Sequence, residues 1–475
     1  MLFNSAGFFV FFAFVYAVYV CLDHRWQNRF LLLASGFFYA MWNWKLVGLL
    51  LFSITFDWTV ALGLERIAEP RTRKRLLVAS LVTSLTVLSF FKYYNFFVDN
   101  LAALLGRFGI DAAGLHLPLV LPVGISFYTF HMMSYVIDVY HGRVKACRSF
   151  IDYALFVTYF PQLVAGPIAR AESLLPQVER PRRIDPEQIV NGIFWIGWGL
   201  FKKVVIADGC AYYVNAVFGH EHDFGGLDKL LAVYAFALQI YGDFSGYSDM
   251  ARGLAKLMGF ELLLNFNLPY FAETPSDFWK RWHISLSSWL RDYLYISLGG
   301  NRGGTLLTYR NLMLTMLLGG IWHGASWTMV LWGAYHGVLL IGYRLLGVRE
   351  TLPPSASPWK RFGRIVLMFH LVCLGWLLFR ATDVGQVERF VVAIAHGLQP
   401  SAQTASYALR ILPLALTLLV VQLLQRHCRS LDLFAAWTAP RRATFAFSLL
   451  WLTIAHMAFS LSLIRGQVPF IYFQF

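Results

Sequence analysis

The sequence predicts an all-α, polytopic integral membrane helix bundle of about 10–12 spans, with re-entrant or interfacial helices besides. Three observations lead there. Of 475 residues, 58% are hydrophobic and 14% charged, against roughly 25% charged in soluble domains, so a surface folded in water would lack polar cover. Apolar runs recur along the whole chain. Positive charge falls in alternate connections between those runs. The same figures exclude a disordered chain, a coiled coil and a disulfide-stapled secreted module.

The apolar runs lie near 7–22, 30–42, 46–64, 76–96, 118–140, 188–207, 229–247, 305–323, 326–346, 364–380, 405–425 and 443–464. Lipid offers no partner to a free backbone N–H or C=O, and no barrel-type alternation is visible, so each run is read as a helix. The first run begins within MLFNSAGFF, which carries neither a basic n-region nor a small-residue cleavage site, and is expected to stay as an anchor. Arg25 and Arg29, then Arg66 to Arg75, then Arg143, Lys145 and Arg148 come after odd-numbered early runs, while the intervening connections are nearly free of positive charge. Under the positive-inside rule the basic loops are cytoplasmic and the N-terminus is outside. Arg180, Arg182, Arg183, Lys360, Arg361, Arg364, Arg426, Arg429, Arg441 and Arg442 continue the pattern, which puts the C-terminus outside as well. The net charge of +14, from 40 Lys+Arg against 26 Asp+Glu, is therefore read as topology and not as nucleic-acid binding.

Two stretches depart from simple spans. Residues 151–187 contain FPQLVAGPIAR, where Pro161, Gly166 and Pro167 interrupt a regular helix; a re-entrant segment and a cytoplasmic loop are expected. Residues 248–304 are too polar for a span and too apolar for a free loop, which predicts amphipathic helices lying at or dipping into the membrane. Pro353, Pro354 and Pro358 mark the one proline-dense linker. The expected organisation is a single domain over 1–475, with N-terminal spans at 1–150, a catalytic core at 241–346 and C-terminal spans at 364–475.

Ionisable residues at membrane depth are costly and face a bundle interior or an aqueous cavity. Here they gather between Asp243 and His336. In YGDFSGYSDMARGLAKLMG, Asp243, Ser245, Tyr247, Ser248 and Asp249 either cap a helix end or form one polar wall of a cavity. In DFWKRWHISLSSWLRDYLY, Trp279, Trp282 and Trp289 give an apolar side while Lys280, Arg281 and Arg291 give a basic one, as a lipid-interface helix requires; His283 lies between them. LGGNRGG, containing Asn301 and Arg302, turns tightly but lacks the GxxxxGK[ST] pattern and a preceding strand of a phosphate-binding loop. In LLGGIWHGASWTMVLWGAYHG, His323 sits beside Trp322 within apolar sequence, and His336 lies on the next run. A packed core histidine is one reading; a group that takes or gives a proton near neutral pH is the other. No spacing of these histidines places two metal ligands on one helical face, and the HEHD run at 220–223 reads as a solvated charge cluster. The five cysteines (Cys21, Cys147, Cys210, Cys373, Cys428) have no paired spacing.

The runs GYSDMARGLAKLMGF, NFNLPYFAETPSDFWKRWHISLSSWLRDYLYISLGGNRGG and LGGIWHGASWTMVLWGAYHG, in that order over about 100 residues, resemble the membrane-bound O-acyltransferase (MBOAT) family, within it the bacterial branch of alginate O-acetyltransferase membrane subunits. Looser similarity runs from PVGISFYTFHMMSYVIDVY and YFPQLVAGPIAR to the terminal FIYFQF. The resemblance implies a bundle enclosing a tunnel between the two membrane faces. It puts His323 in the place of the family's catalytic histidine, His283 in that of its second active-site histidine, and His336 in that of a further one. Asp243, Ser245, Tyr247, Asp249, Trp322, Asn301 and Arg302 are candidate supporting residues.

The activity implied by the resemblance is transfer of an acyl group from a cytoplasmic thioester, acetyl-CoA, with no permanently bound cofactor and no metal. His323 would act as general base on an acceptor hydroxyl or carry the acyl group covalently. His283 or a neighbouring donor would stabilise the oxyanion in a water-poor tunnel. By resemblance the location is the bacterial inner membrane, and the partners are a periplasmic SGNH-type acetyltransferase and a polysaccharide biosynthesis and export complex. The alternatives are a D-alanyl transferase of teichoic-acid-type polymers, a transporter or flippase, and a structural subunit of an export complex.

Overall fold

A computed structural model of the chain describes residues 2–111, 113–164, 166–348, 357–434 and 437–463. Among the described residues every regular element is a helix, and each of the twelve apolar runs falls mainly within one. The terminal FIYFQF and Pro353 and Pro354 lie outside the described residues. Five helical stretches, His24–Arg66, Pro70–Gly106, Pro186–Gly219, Pro358–Arg380 and Thr404–Cys428, are long and apolar enough to cross a membrane. The protein is a multi-pass membrane helical bundle. It divides into two compact units, the first Met1–Gln188 with Leu254–Leu263 and the second Ile189–Gly253 with Leu264–Phe475.

The first unit holds α1 (Ala6–Tyr19), α2 (His24–Asn43), α3 (Val47–Arg66), α4 (Pro70–Gly106), α5 (Ile125–Tyr140), α6 (Phe150–Thr158), α7 (Phe160–Leu163) and α8 (Ala171–Glu179). Side-chain caps start several of them: Ser5 accepts from Phe8 N, Asp23 from Trp26 N and Ser149 from Asp152 N. Pro161 occupies the first turn of the four-residue α7, where its missing N–H costs nothing. A Cβ on Gly124 (φ +73°) would stand 2.4 Å from the Leu163 carbonyl oxygen, so this close approach of α5 to α7 requires glycine. Arg182 fastens this unit together. It donates to Tyr19 Oη (2.9 Å), Asn28 Oδ1 (2.7 Å) and Gln27 Oε1 (3.2 Å), and stacks over Phe260 at 4.6 Å.

The second unit holds α9 (Pro186–Phe201, from Ile189 on), α10 (Asp208–Gly219), α11 (Gly226–Leu257, as far as Gly253), α12 (Pro275–Trp279), α13 (Ile284–Trp289), α14 (Thr305–His323), α15 (Trp327–Leu345), α16 (Pro358–Arg380), α17 (Val384–His396), α18 (Thr404–Cys428) and α19 (Ala439–Leu463). Between α9 and α10 the backbone passes through a π-helical turn at Lys202–Ala207. Small residues let α9 and α11 touch backbone to backbone: a Cβ on Gly199 would lie 2.4 Å from the Gly246 oxygen, and one on Gly246 2.6 Å from the Gly199 oxygen. That contact carries the two lysines of the π turn to the carboxylates of α11. Lys202 Nζ donates to Asp249 Oδ2 (2.6 Å) and Ser245 Oγ (2.9 Å); Lys203 Nζ reaches Asp208 Oδ1 (2.7 Å) and Asp243 Oδ1 (2.8 Å). Arg252 lies 3.6 Å from Asp249. Three cations thus face three carboxylates in a buried network.

In the stretch 248–304 the expected lipid-facing tryptophan side meets protein instead. Asp243 and Asp249 lie inside the 32-residue α11, so neither caps a helix end. Beyond α11 the chain is mostly extended, then forms α12, α13 and a π turn at Leu290–Tyr295. Trp282 and Trp289 are buried rather than lipid-facing, because their rings pack on protein: Trp282 stacks on Phe278 at 5.7 Å and meets Trp376 at 4.7 Å.

Candidate active site

The site is built on the hairpin of α14 and α15, whose packing again depends on glycine. A Cβ on Gly320 would meet Met329 O at 2.3 Å, and one on Gly333 would meet Met316 O at 2.4 Å. The two helices therefore run in backbone contact. His323 closes α14, and Ser326 caps α15 by accepting from Met329 N (3.3 Å). The imidazole is 5% exposed, edge-on to Trp322 (4.9 Å), Trp332 (5.0 Å) and Phe379 (5.3 Å).

A cavity of about 300 Å³ runs along this hairpin. On α14 it is lined by Leu312, Thr315, Met316, Gly319 and His323, one face at helical spacing. From Leu312 to His323 that face rises about 16 Å. Trp332, Leu340 and Arg344 line it from α15, and Leu286 and Leu290 close the side. Lys280, Arg291, Asn301 and Arg344 belong to the same wall, and a second space of about 280 Å³ adjoins it, sharing Ser276, Leu312, Leu340 and Arg344. Asn301 accepts from Tyr295 Oη, a short contact, and from Arg344 Nη1 at 3.3 Å, so this end is ordered. Arg344 and Asn301 lie at the end of the cavity away from His323, Lys280 and Arg291 line it besides, and at the hairpin tip an imidazole stands among aromatic rings. Such a shape takes a slender substrate with an anionic head and a reactive centre at its inner end.

The other expected residues are distributed around this cavity. His283 does not line it. It is fully buried, its ring 6.2 Å from Trp322, which itself adjoins His323, so one indole touches both imidazoles. Its backbone is left-handed (φ 44°), a conformation sparsely populated by side-chain-bearing residues. Asn265 Oδ1 lies 3.1 Å from His283 Nδ1. His336 is buried behind the wall, stacked on Phe278 (6.2 Å, 6°) and beside Trp332 (4.8 Å). Asp243, Ser245 and Asp249 belong to the ion network with Lys202 and Lys203, and Tyr247 is buried on the same helix; none of the four lines the cavity. Asn301 does, while Arg302 is exposed in the adjoining loop. Glu221 of the HEHD run is buried and accepts from Arg389 (2.7 Å).

Reading by residue type misses Arg344, Asn265 and the lysine pair. The sequence holds a signal for the last: two adjacent lysines within an apolar run require buried carboxylate partners.

A multi-pass helical fold with a buried histidine on a cavity that basic residues also line is an arrangement that acyl transfer within a membrane can use. The chain belongs to the membrane-bound O-acyltransferase (MBOAT) family, which matches residues 32–354, and is an O-acyltransferase. It is 45% identical over 397 residues, 83% of this chain and 75% of the relative, to the probable alginate O-acetylase AlgI of Pseudomonas aeruginosa. The peptidoglycan O-acetyltransferase of Helicobacter pylori is 38% identical over 386 residues (74% of this chain, 71% of the relative). The teichoic acid D-alanyltransferase of Bacillus subtilis is 28% identical over 270 residues (54% and 68%).

Proposed function

We propose that this enzyme takes an acetyl group from a cytoplasmic thioester, acetyl-CoA, and passes it across the bacterial inner membrane for O-acetylation of an exported polysaccharide such as alginate. The observation that carries the reading is the cavity linking Lys280, Arg291 and Arg344 to His323. The acetyl relatives, alginate and peptidoglycan O-acetylases, cover more of the chain at higher identity than the D-alanyl one, which favours acetyl over D-alanyl transfer. In this reading the Arg344 end opens to the cytoplasm and both termini are periplasmic, as the distribution of basic loops requires. The acceptor reaches His323 from the opposite side of a tunnel.

His323 acts as the general base. As the acceptor hydroxyl oxygen bonds to the acyl carbon, the imidazole takes the hydroxyl proton; the carbon–sulfur bond then breaks, and the departing thiolate is reprotonated to the free thiol. The rings of Trp322, Trp332 and Phe379 keep water from the thioester, which would otherwise be hydrolysed. No group in this chain is needed to bind the polysaccharide if a periplasmic SGNH-type acetyltransferase in the export complex receives the acetyl group.

The experiment compares donors, giving the purified protein in nanodiscs, together with its periplasmic acceptor, either labelled acetyl-CoA or an acylated carrier protein. Release of free thiol from acetyl-CoA is the expected result; turnover of the carrier-protein thioester alone would contradict the assignment. The basic wall gives a second prediction. Arg344→Glu is expected to raise KM for acetyl-CoA about tenfold at low salt with kcat little changed, and the difference should shrink as ionic strength rises. A KM independent of both charge and salt would remove Arg344 from donor binding.

A further inference from the structure

The surroundings of Asn265 carry an inference about His283, resting on the acyl-transfer reading above. Three groups converge on Asn265 Oδ1: the backbone N–H of Ser285 (3.3 Å), the hydroxyl of Ser285 (2.9 Å) and Nδ1 of His283 (3.1 Å). A backbone N–H can only donate, so the atom it faces must be the amide oxygen, which excludes the flipped amide. The other end agrees, since Nδ2 of Asn265 donates to Ser248 Oγ on α11 (3.1 Å). An oxygen cannot donate to Nδ1; the proton of a neutral His283 must therefore sit on Nδ1, leaving the lone pair on Nε2.

The backbone holds the ring in that relation. Ile284 N donates to Asn265 O (2.9 Å) and Asn267 N to Arg281 O (2.9 Å), so the two segments are clipped together on either side of the left-handed His283. Phe244 meets the imidazole edge-on at 4.6 Å and fixes its plane. Asn265, His283, Ser285 and Phe244 are all buried, and a ring turned over would set the bare nitrogen against an amide oxygen in a dry interior.

We infer that Asn265 is a positioning residue that locks His283 as the Nδ1–H tautomer, so that Nε2 can take part in acyl transfer only as a hydrogen-bond acceptor and not as the oxyanion's donor. The oxyanion's donor must then be another group. Of the two expectations for the oxyanion, His283 or a neighbouring donor, this favours the neighbouring donor.

The test reads the tautomer directly. Trp–His pairs occur only at 282–283 and 322–323, so labelling tryptophan carbonyls with ¹³C and histidines with ¹⁵N selects these two histidines in the full-length protein in lipid. His323→Gln removes one signal and assigns the other. The expected result for His283 in the wild type is a protonated Nδ1 and a bare Nε2; a proton on Nε2 of neutral His283 overturns the inference, whatever the enzyme's activity. Asn265→Ala is expected to lower kcat for acetyl transfer about ten- to a hundredfold and to mix the two tautomers, while Asn265→Asp, which keeps an acceptor toward Nδ1, recovers turnover relative to Asn265→Ala. Unchanged kcat in a folded Asn265→Ala with mixed tautomers would end the positioning role. Loss of the acyl-transfer reading would appear separately, as wild-type protein inert toward every thioester while the tautomer of His283 stays as inferred.

Discussion

His323→Gln is expected to lower thioester turnover by about two to four orders of magnitude, the usual contribution of a positioned general base, while the protein still purifies and melts as the wild type does. Glutamine suits the test because it fills much of the imidazole's volume among Trp322, Trp332 and Phe379 and keeps hydrogen-bonding atoms, yet cannot take a proton at neutral pH. His323→Ala should lose activity to the same degree but also open a void at the hairpin tip, with a stability cost of about 1–3 kcal/mol. The pair separates chemistry from packing. His336→Gln gives the contrast: it lies behind the cavity wall, so its effect should fall on stability more than on turnover. The measurement is free thiol released from acetyl-CoA in nanodiscs with the periplasmic acceptor present, beside thermal unfolding of the same samples. Wild-type turnover in His323→Gln would remove the imidazole from the reaction.

The largest effect on stability is expected at Lys203. It is nearly fully buried and reaches both Asp208 (2.7 Å) and Asp243 (2.8 Å). Lys203→Met strands two carboxylates in a dry interior, and breaking a buried pair costs about 3–5 kcal/mol. Lys202→Met should cost less, since its one carboxylate, Asp249, keeps Arg252 at 3.6 Å. The double variant Lys203→Met with Asp243→Leu should recover part of the loss of Lys203→Met, because one of the two carboxylates stranded by that change is removed with the lysine. Thermal unfolding of the wild type and these three variants in one lipid composition makes the comparison. A Lys203→Met protein as stable as wild type would contradict the pairing described for it.

Much of the fold is legible in the sequence because lipid leaves the chain few options. Every apolar run has to be a helix, and each of the twelve falls mainly within one. The 305–323 and 326–346 runs match α14 and α15 to within a residue, since Gly304 and the 324–326 turn bound them sharply. The expectation of a lipid-facing tryptophan side over 248–304 fails for a physical reason. An alternation of tryptophan with arginine fits a lipid interface and a protein interior equally well, and only the partners Phe278 and Trp376 decide for burial of Trp282. The polar cluster of α11 is visible in the chain, but its meaning depends on Lys202 and Lys203, some 40 residues earlier and brought in by the Gly199–Gly246 contact. His323 stands out on its own, as an ionisable group in apolar sequence. The orientation of His283 cannot be read from the chain, because it rests on Asn265 and Ser285 meeting at one oxygen.

In the proposed mechanism, His323 passes an acetyl group from a donor on one side of the membrane to an acceptor on the other. Inside-out vesicles containing the protein and its periplasmic acceptor, with labelled acetyl-CoA supplied outside, put that step to the test. Label should appear on a luminal acceptor protected from external esterase in wild-type vesicles and be absent with His323→Gln. Equal luminal label in both, or label confined to the outer face in the wild type, would contradict the mechanism.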